Sequence, residues 1–196
     1  MKLLEDRIVK DGKVGEANVL KVDSFLNHQI DVAFLDTLGA EFYRRYKDEK
    51  ITKVLTIEAS GIGIACLTAR HFGVPVVFAK KTKTNNIYSD VYHGSVYSYT
   101  HQTTYEIVVS KQFLVPGDRV LIIDDFLAKG SALLGLINLI HDAGAETVGA
   151  GIVIEKAYQP GGDMVRNELG VRVESLARVA EMSVENGIRF IEESEG

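Results

Sequence analysis

Two adjacent carboxylates at the end of an apolar run have the clearest chemical potential in this sequence. Asp124 and Asp125 follow the run VLII and precede a turn of mostly small residues and then an apolar helical stretch. In an open parallel sheet, ligands bind beyond the carboxyl ends of the strands, which is where this turn must lie. Carboxylates in that position suit hydroxyl groups or a hard cation such as Mg²⁺.

The turn that follows the two acids has the composition of a phosphate site. Its residues are Ala128, Lys129, Gly130, Ser131 and Ala132. Gly130 and its small neighbours let a phosphate approach the backbone, and the N–H groups at the start of a helix can then bind it. Ser131 adds a hydroxyl group and Lys129 a positive charge. The acids and the turn together predict a sugar-phosphate site, whereas singly they would be a strand end and a helix cap.

Short β-branched runs alternate with longer helical stretches, and this alternation would position the acids and the turn. Strands are predicted at 51–59, 74–80, 119–124, 146–155 and 171–179. Helices are predicted at 29–49, 62–73 and 131–145. Strand and helix in turn imply parallel pairing with right-handed crossovers, and hence a doubly wound, mainly parallel α/β sheet. No linker interrupts the pattern, so a single domain is expected over residues 1–196.

One segment breaks the alternation. Residues 80–110 are rich in Thr, Tyr, Ser and Asn, and their later half, 95–110, alternates as a β-hairpin does. An excursion of about 30 residues is far longer than the usual connection between core strands. The segment is therefore either an active-site lid or a surface hairpin, and its length alone does not decide between them.

Composition excludes several classes of protein. The chain has 196 residues, of which 46% are hydrophobic and 25% charged, so it can bury a core without disulfides or a structural metal. The formal net charge of −5 argues against a broad nucleic-acid surface. No apolar run approaches the roughly 20 residues of a membrane span, and the charged start is unlike a signal peptide. The five histidines show no metal-ligand spacing.

The single cysteine gives two further expectations. Cys66 excludes an intrachain disulfide and agrees with a reducing compartment, so a cytoplasmic location is expected. It lies in the apolar stretch IACLTA, which predicts a core position for its side chain.

The segment 120–136 resembles the phosphoribosyl-pyrophosphate (PRPP) signature of the type I phosphoribosyltransferase family. That signature is an apolar strand, two acids and an Ala-Thr-Gly-Gly-Thr-like turn, from which this turn departs at three of five positions. The resemblance implies the family fold, with a flexible loop or hairpin and a small hood over the nucleobase. It also implies that PRPP binds at 128–132 and that Asp124 and Asp125 serve catalysis.

A second loop is similar to the family pattern. Residues Glu58, Ala59, Ser60 and Gly61 follow the first predicted core strand, where family members bind pyrophosphate through backbone N–H groups. A dinucleotide fingerprint is the competing interpretation of Gly61 and Gly63. It lacks its third small position, because residue 66 is Cys, and the next strand ends in lysines instead of an acid. A phosphate-binding GK[ST] loop is absent from the sequence as well.

Family members carry a flexible loop that closes over PRPP in the position of residues 81–104. Lysines 80, 81 and 83 lie at its base, and Lys81 is the predicted PRPP ligand, in its own subunit or across an interface. Each lysine could instead be a solvated surface charge. Tyrosines 88, 92, 97 and 99 could close the lid or cover the hairpin, and covering is favoured for the last two.

The whole chain is similar to the bacterial, xanthine-specific branch of the family. The resemblance implies a hood built from the N-terminal and C-terminal segments, with base contacts at Leu20, Asn27 and Lys156. Lys156 can donate to a 6-oxo group and cannot accept from an exocyclic amine, which disfavours adenine. Asn27 offers a donor and an acceptor for xanthine, and Leu20 an apolar cover. From the residues alone, Lys156 could be a surface lysine and Asn27 a helix N-cap.

The resemblance therefore implies transfer of the phosphoribosyl group of PRPP to xanthine, giving XMP and pyrophosphate through an oxocarbenium-like transition state. Mg²⁺ would bind through PRPP and not directly to protein ligands. A homodimer is implied, and purine nucleotides are expected to inhibit because their 5′-phosphate matches the turn.

Two alternatives stay open. A guanine or hypoxanthine phosphoribosyltransferase would use Lys156 equally well, since any 6-oxopurine can accept from it. A non-catalytic regulator of the same fold could sense PRPP or a purine. Such regulators usually need a DNA-binding module or a basic face, and the first 20 residues are too few for a winged helix.

Overall fold

The structure is a computed structural model that describes residues 1–15, 19–82, 90–98 and 102–191. Its elements in chain order are helix α1 (Lys2–Asp11), strands β1 (Lys13–Gly15) and β2 (Val19–Lys21), a π-helical turn (Asp23–Asn27), helix α2 (Val32–Tyr46), strand β3 (Lys53–Ile57), helix α3 (Gly61–Phe72), strands β4 (Val76–Thr82), β5 (Val91–Ser98), β6 (Thr103–Ser110) and β7 (Arg119–Leu127), helix α4 (Ser131–Asp142), strand β8 (Glu146–Lys156), two short helical turns (Gly161–Asp163 and Met164–Glu168), and strands β9 (Val173–Ser183) and β10 (Gly187–Phe190).

The five predicted core strands form one continuous parallel region. The main sheet has the order β10-β9-β8-β7-β3-β4-β6-β5, and the contacts from β9 through β4 are all parallel. Strand β6 pairs antiparallel with β4, β5 pairs antiparallel with β6, and β10 pairs antiparallel with β9. The predicted doubly wound, mainly parallel α/β fold is confirmed. Strands β1 and β2 form a separate two-stranded sheet.

Alternate residues of the central strands contribute to two hydrophobic cores. Leu121 and Ile123 of β7 belong to the core that contains residues of α2 and α3, whereas Val120 and Ile122 belong to the core that contains residues of α4. Helices therefore cover both faces of the sheet. The chain leaves β3 through α3 toward β4 and leaves β7 through α4 toward β8, in opposite directions along the sheet. The carboxyl ends of β3 and β7 thus form the topological switch point, where this architecture opens a crevice.

Several boundaries differ from the sequence prediction. Strand β7 continues to Leu127, so both aspartates lie inside the strand instead of after it. The hairpin begins at Val91 and joins the main sheet through β4. Helix α1 is not among the predicted elements, and α2 begins only at Val32 because the π-helical turn precedes it.

The predicted core position of Cys66 is wrong, because its side chain is exposed. The buried residues of α3 include Gly61, Ile64, Ala65 and Thr68, which recur at helical spacing on the side that faces the sheet and α2. Cys66 lies on the opposite side of the same helix.

Of the predicted loop at 81–104, residues 83–89 and 99–101 lie outside the described residues, and with them Lys83, Tyr88 and Tyr99. Most of the remainder forms strand β5 and the start of β6, which pair as a hairpin. Tyr92 packs partly buried against the core that contains α4, and Tyr97 on β5 is exposed. Among the helices of the described part of the chain, none is both long and apolar enough to cross a bilayer.

Candidate active site

The two predicted acids lie buried at the carboxyl end of β7. Asp124 and Asp125 are only 6% and 8% exposed. The Asp125 N–H donates to Oδ1 of Asp124 at 3.0 Å, and the Phe126 N–H donates to Oδ1 of Asp125 at 2.9 Å. Local backbone hydrogen bonds therefore help to orient both carboxylates at the switch point.

The start of α3 approaches Asp124 very closely. A Cβ atom on Gly61 would lie 2.9 Å from Oδ1 of Asp124 and 2.2 Å from Oγ1 of Thr56. Only glycine can occupy this position without displacing one of those groups. Thr56 is fully buried, and its hydroxyl has no hydrogen-bond partner among the described residues. The loop after β3 and the end of β7 therefore meet at one point.

The electrostatic environment of Asp124 is unusual for a carboxyl group. Burial raises the pKa of Asp124 well above its ordinary value, and the adjacent Asp125 carboxylate raises it further. The positive charge of Lys81 opposes this rise. Burial also raises the pKa of the Tyr105 phenol, and the charge of Asp124 adds to that effect. The Lys81 ammonium lies 5.3 Å from the centre of the Tyr105 ring, so strands β4 and β6 both place side chains near Asp124.

The predicted pyrophosphate loop is attached to β4. The Lys81 N–H donates to Oε1 of Glu58 at 2.6 Å, and the Glu58 N–H donates to the carbonyl of Ala79 at 3.1 Å. Ala59 is exposed and Ser60 half-buried. Within the described residues, no side chain caps the N-terminus of α3. The backbone N–H groups of this helix start can therefore bind an anion.

The turn at 128–132, which is predicted to bind phosphate, connects β7 to α4. Gly130 has a φ of +85°, in the left-handed region that glycine adopts without strain. A Cβ atom at this position would also lie 2.8 Å from the Cε atom of Met164. The turn leads into α4, whose N-terminus is capped by no side chain of the described segments. Lys129 is exposed, and Ser131 and Ala132 are half-buried at the helix start.

Two glycines that the sequence analysis missed, Gly161 and Gly162, lie next to the turn at 128–132. The Gly161 N–H donates to the carbonyl of Ala128 at 3.0 Å. A Cβ atom on Gly161 would lie 2.4 Å from that carbonyl oxygen and 2.5 Å from the backbone nitrogen of Gly130. Gly162 follows it in direct contact with the side chain of Glu155. The run Pro160-Gly161-Gly162 signals a turn after β8, but nothing in its spacing shows that it packs beneath an earlier loop.

The predicted base-contact residues lie on three different elements. Leu20 on β2 is buried in the same core as Phe25, Ile154 and Val179. Val179 is the cross-strand neighbour of Lys156 at the end of β8. The segment that carries Leu20 therefore shares its hydrophobic core with residues near the end of β8. Lys156 itself is half-buried, and this burial lowers the pKa of its ammonium group.

Asn27 does not cap α2. Asp31 is the N-cap, and its carboxylate accepts from the Phe34 N–H at 3.1 Å. Asn27 is exposed at the end of the π-helical turn, directly after buried Phe25 and Leu26. π-Helical turns are rare and are often found at functional sites.

Arg7 of α1 attaches this turn to the start of α2. Its guanidinium carbon lies 5.2 Å from the centre of the Phe25 ring and 5.1 Å from that of Phe34. Its Nη1 donates to Oδ2 of Asp31 at 3.1 Å. The two rings contact each other edge to face, with centres 5.6 Å apart. Sequence spacing could not reveal this cluster, because its members come from three separate elements.

No group of three or more acidic, histidine or cysteine side chains gathers within the described ranges in a way that could hold a metal ion. Asp124 and Asp125 are two neighbouring carboxylates at the crevice. They fit a Mg²⁺ ion that takes most of its ligands from substrate oxygens and water, which is the common binding mode of Mg²⁺.

Comparisons with known proteins point to one family. Residues 21–177 match the family of phosphoribosyl transferase domains. The xanthine phosphoribosyltransferase of Lachnoclostridium phytofermentans is 58% identical over 95% of this chain and 96% of its own. That of Bifidobacterium adolescentis is 57% identical over 95% of this chain and 97% of its own.

Solved structures share the fold. The APRTase of Giardia lamblia, in complex with 9-deazaadenine, superposes with a TM-score of 0.74 at 28% identity, covering 89% of this chain and 97% of its own. The adenine phosphoribosyl transferase of Trypanosoma brucei, in complex with AMP, pyrophosphate and ribose-5-phosphate, has a TM-score of 0.77 at 20% identity. It covers 94% of this chain and 83% of its own.

Proposed function

The chain belongs to the phosphoribosyltransferase family, and from that premise we propose that it transfers the phosphoribosyl group of PRPP to xanthine, giving XMP and pyrophosphate. The observation that carries this proposal is the meeting of three features at one switch point. These are the buried pair Asp124 and Asp125, the uncapped turn at 128–132 and the loop at 58–61. Two anion sites beside two carboxylates match a ribose that carries a phosphate at one end and a pyrophosphate at the other.

The turn at 128–132 would bind the 5′-phosphate of PRPP. Its geometry supports this role, because Gly130 allows a tight left-handed turn and the N–H groups at the start of α4 have no side-chain cap in the described structure. The helix dipole favours an anion at this end. Ser131 adds a hydroxyl donor, and the charge of Lys129 raises the local concentration of anionic ligands.

Asp124 and Asp125 would act on the ribose ring. During transfer, the bond from C1 to the pyrophosphate oxygen breaks, a bond from C1 to a purine nitrogen forms, and the purine releases the proton from that nitrogen. Positive charge develops on the ring at the transition state, and two fixed carboxylates stabilise it more there than in the ground state. Their oxygens also accept from the ribose hydroxyls and orient the sugar.

The loop at 58–61 and Lys81 would hold the leaving pyrophosphate. Glu58 accepts from the Lys81 backbone, so the loop and the lysine are held in a fixed relation. Lys81 also lies close enough to Asp124 to influence its charge. The lysine can thus neutralise the leaving group while the acid faces the ring. When Mg²⁺ binds together with PRPP, it would reduce the negative charge of the leaving pyrophosphate, and Asp124 and Asp125 are the carboxylates that could help to hold it.

Lys156, Asn27 and Leu20 would bind the purine. Lys156 is half-buried at the ligand edge of the sheet, where its ammonium can donate to the 6-oxo group. Asn27 is exposed on a turn anchored by Phe25 and Leu26, and its amide can donate to and accept from the 2-oxo edge of xanthine. Leu20, from the packed hood segment, would cover the ring.

We propose further that the enzyme works as a homodimer in the cytoplasm and that purine nucleotides compete with PRPP. An apolar groove of about 630 Å³, lined by residues of β4, of β6 and of the segment after β6, supports the dimer. Phe78 and Phe113 are exposed in it, and large exposed apolar patches commonly mark interfaces. In a sedimentation experiment, the wild type should run as a dimer and F113D as a monomer.

The proposed competition by purine nucleotides has its own test. GMP should raise the apparent KM for PRPP without changing kcat at saturating PRPP.

One steady-state panel tests the reaction. The protein is mixed with Mg²⁺, PRPP and either xanthine, hypoxanthine, guanine or adenine, and release of pyrophosphate is followed. We expect the highest kcat/KM with xanthine and the lowest with adenine. A preference for guanine or hypoxanthine would keep the mechanism and overturn the role of Asn27. PRPP binding without turnover of any base would assign the protein to the sensor class.

A further inference from the structure

A buried ionic cluster that plays no part in the proposed chemistry lies directly behind the phosphate turn. Glu155 is 2% exposed, and its carboxylate accepts from Nη1 of Arg166 at 2.8 Å and from Nη2 at 2.6 Å. Ser175 Oγ donates to the same carboxylate at 2.6 Å, and Nε of Arg178 lies 3.3 Å from it. Four side chains from β8, β9 and the short helical turns thus converge on one point.

Two glycines without intervening side chains connect this cluster to the turn. A Cβ atom on Gly162 would lie 2.1 Å from Oε1 of Glu155 and 2.6 Å from Nη1 of Arg166. Gly161, its neighbour, is in equally close contact with the backbone at Ala128 and Gly130. The ion pair, the glycine backbone and the turn at 128–132 therefore form a continuous stack of close contacts, and close packing of this kind transmits strain.

We propose that the Glu155–Arg166 pair is a positioning device that sets the backbone of the turn at 128–132 for the 5′-phosphate of PRPP. This inference rests on the proposed function, because it assigns the turn to that phosphate. Glu155 and Arg166 touch neither substrate in this arrangement and act through Gly161 and Gly162.

A charged pair suits this task better than apolar packing would. The planar guanidinium of Arg166 binds the Glu155 carboxylate through two parallel hydrogen bonds, which fixes both the distance and the direction of approach. Ser175 satisfies a further acceptor site on the carboxylate. Lysine at position 166 would keep the positive charge but could not form the two parallel hydrogen bonds.

Lys156, the lysine proposed to bind the purine, is positioned by a different contact. Lys156 follows Glu155 in the chain, but its backbone is paired in register with Val179 of β9. The sheet therefore fixes the purine-binding lysine without help from Arg166. Loosening the ion pair should impair the phosphate site selectively, and this selectivity separates a positioning role from a general structural one.

The test compares R166K with a control that breaks a similar ion pair elsewhere. Lys53 and Asp118 form a contact of 2.7 Å at the amino ends of β3 and β7, with side chains 13% and 11% exposed. R166K should raise KM for PRPP, and the dissociation constant of PRPP measured by calorimetry, by about tenfold or more. KM for xanthine at saturating PRPP should change less than about twofold, within the ordinary scatter of a distant substitution. D118N should lower the melting temperature comparably and leave both constants unchanged.

S175A provides a second, milder variant in case R166K does not fold. It removes one hydrogen bond to Glu155 and should raise the PRPP constants in the same direction by a smaller factor. If the wild-type enzyme binds PRPP and both variants bind it equally well, the positioning role is wrong while the proposed function stands. If the wild-type protein neither binds PRPP nor turns it over, the proposed function itself fails.

Discussion

Gly61 and Asp124 are so close that a methyl group on the glycine would lie 2.9 Å from Oδ1 of the acid. This contact joins the N-terminus of α3, which follows β3, to the carboxyl end of the neighbouring strand β7. The positive end of the helix dipole therefore lies beside a carboxylate whose ionisation is disfavoured by burial and by Asp125. The N-terminus of α3 can approach Asp124 this closely only because residue 61 has no side chain.

Substitution G61A should lower kcat/KM for PRPP by about tenfold or more, because the added methyl group must displace the pyrophosphate loop or the catalytic acid. G63A is a matched control on the same helix. The one atom that its methyl group would approach too closely is the flexible end of the Ile30 side chain, at 2.9 Å, which can move aside, whereas Leu35 lies at an ordinary contact distance of 3.8 Å. Equal losses in the two variants would contradict the explanation. The double variant T56A/G61A should recover part of the activity, since it removes the nearer of the two clashing atoms.

Substitution D124N should have opposite effects on activity and stability. Loss of the carboxylate should lower kcat by about 10²-fold or more, as expected for a group that stabilises transition-state charge. The melting temperature at neutral pH should rise, because the fold no longer has to bury an ionised group at this position. Steady-state kinetics and thermal unfolding measure the two effects, and a lower melting temperature would show that the buried charge is stabilising.

The stability difference between D124N and the wild type should depend on pH with a defined sign. The folded-state pKa of Asp124 is raised, so the folded state binds the proton more tightly than the unfolded state does. The wild type should therefore lose stability relative to D124N as pH rises from the ordinary aspartate pKa of about 3.9 through the raised folded value. Below that range the two proteins should unfold alike. Unfolding curves recorded across this interval test the prediction.

Substitution D125N should lower the pKa of Asp124, because it removes the neighbouring negative charge that helps to raise it. The carboxyl resonance of Asp124, followed by NMR during a pH titration, should shift its midpoint to lower pH. A midpoint that stays unchanged would mean that burial alone controls the ionisation of Asp124. The same titration in D118N should leave the midpoint in place, since Asp118 lies at the other end of the sheet.

Arg7 should influence purine binding without touching the purine. R7M removes the charge that contacts the Phe25 and Phe34 rings and Asp31, interactions worth about 0.5–2 kcal/mol at partly buried sites. The turn that carries Asn27 should loosen, and KM for xanthine should rise while KM for PRPP stays constant. R70M, which removes the surface ion pair between Arg70 of α3 and Asp36 of α2, is the control. A rise in both Michaelis constants would indicate general loss of structure.

Lys156 should account for much of the purine affinity. K156M removes a charged donor, and a hydrogen bond to a charged group is worth about 1.5–3 kcal/mol, so kcat/KM for xanthine should fall by roughly ten- to hundredfold. K156Q keeps a neutral donor and should lose less. Calorimetric binding of PRPP in the absence of a base should be the same in both variants. If K156M retains full activity with xanthine, Lys156 does not bind the purine.

Local sequence was sufficient for the five parallel strands, for helices α2, α3 and α4, for the hairpin, and for singling out the two loops that we propose bind anions. Their signals extend over a few residues: β-branched runs, apolar residues at helical spacing, and glycine at a turn. Gly130 illustrates this, because its left-handed backbone is a property of the turn itself. The same local information misplaced Cys66, whose burial depends on which side of α3 faces the sheet.

Tertiary structure alone decided which of these parts meet. Gly61 lies against Asp124, Gly161 beneath Gly130, and Arg166 against Glu155, and each contact joins residues that are distant in the chain or on separate elements. Such contacts depend on how strands register and helices pack, which are cooperative properties of the whole core. The sequence thus determined the chemistry available at the end of each strand. The packing of the sheet determined that these groups share one edge of the sheet, and how firmly the turn at 128–132 is held.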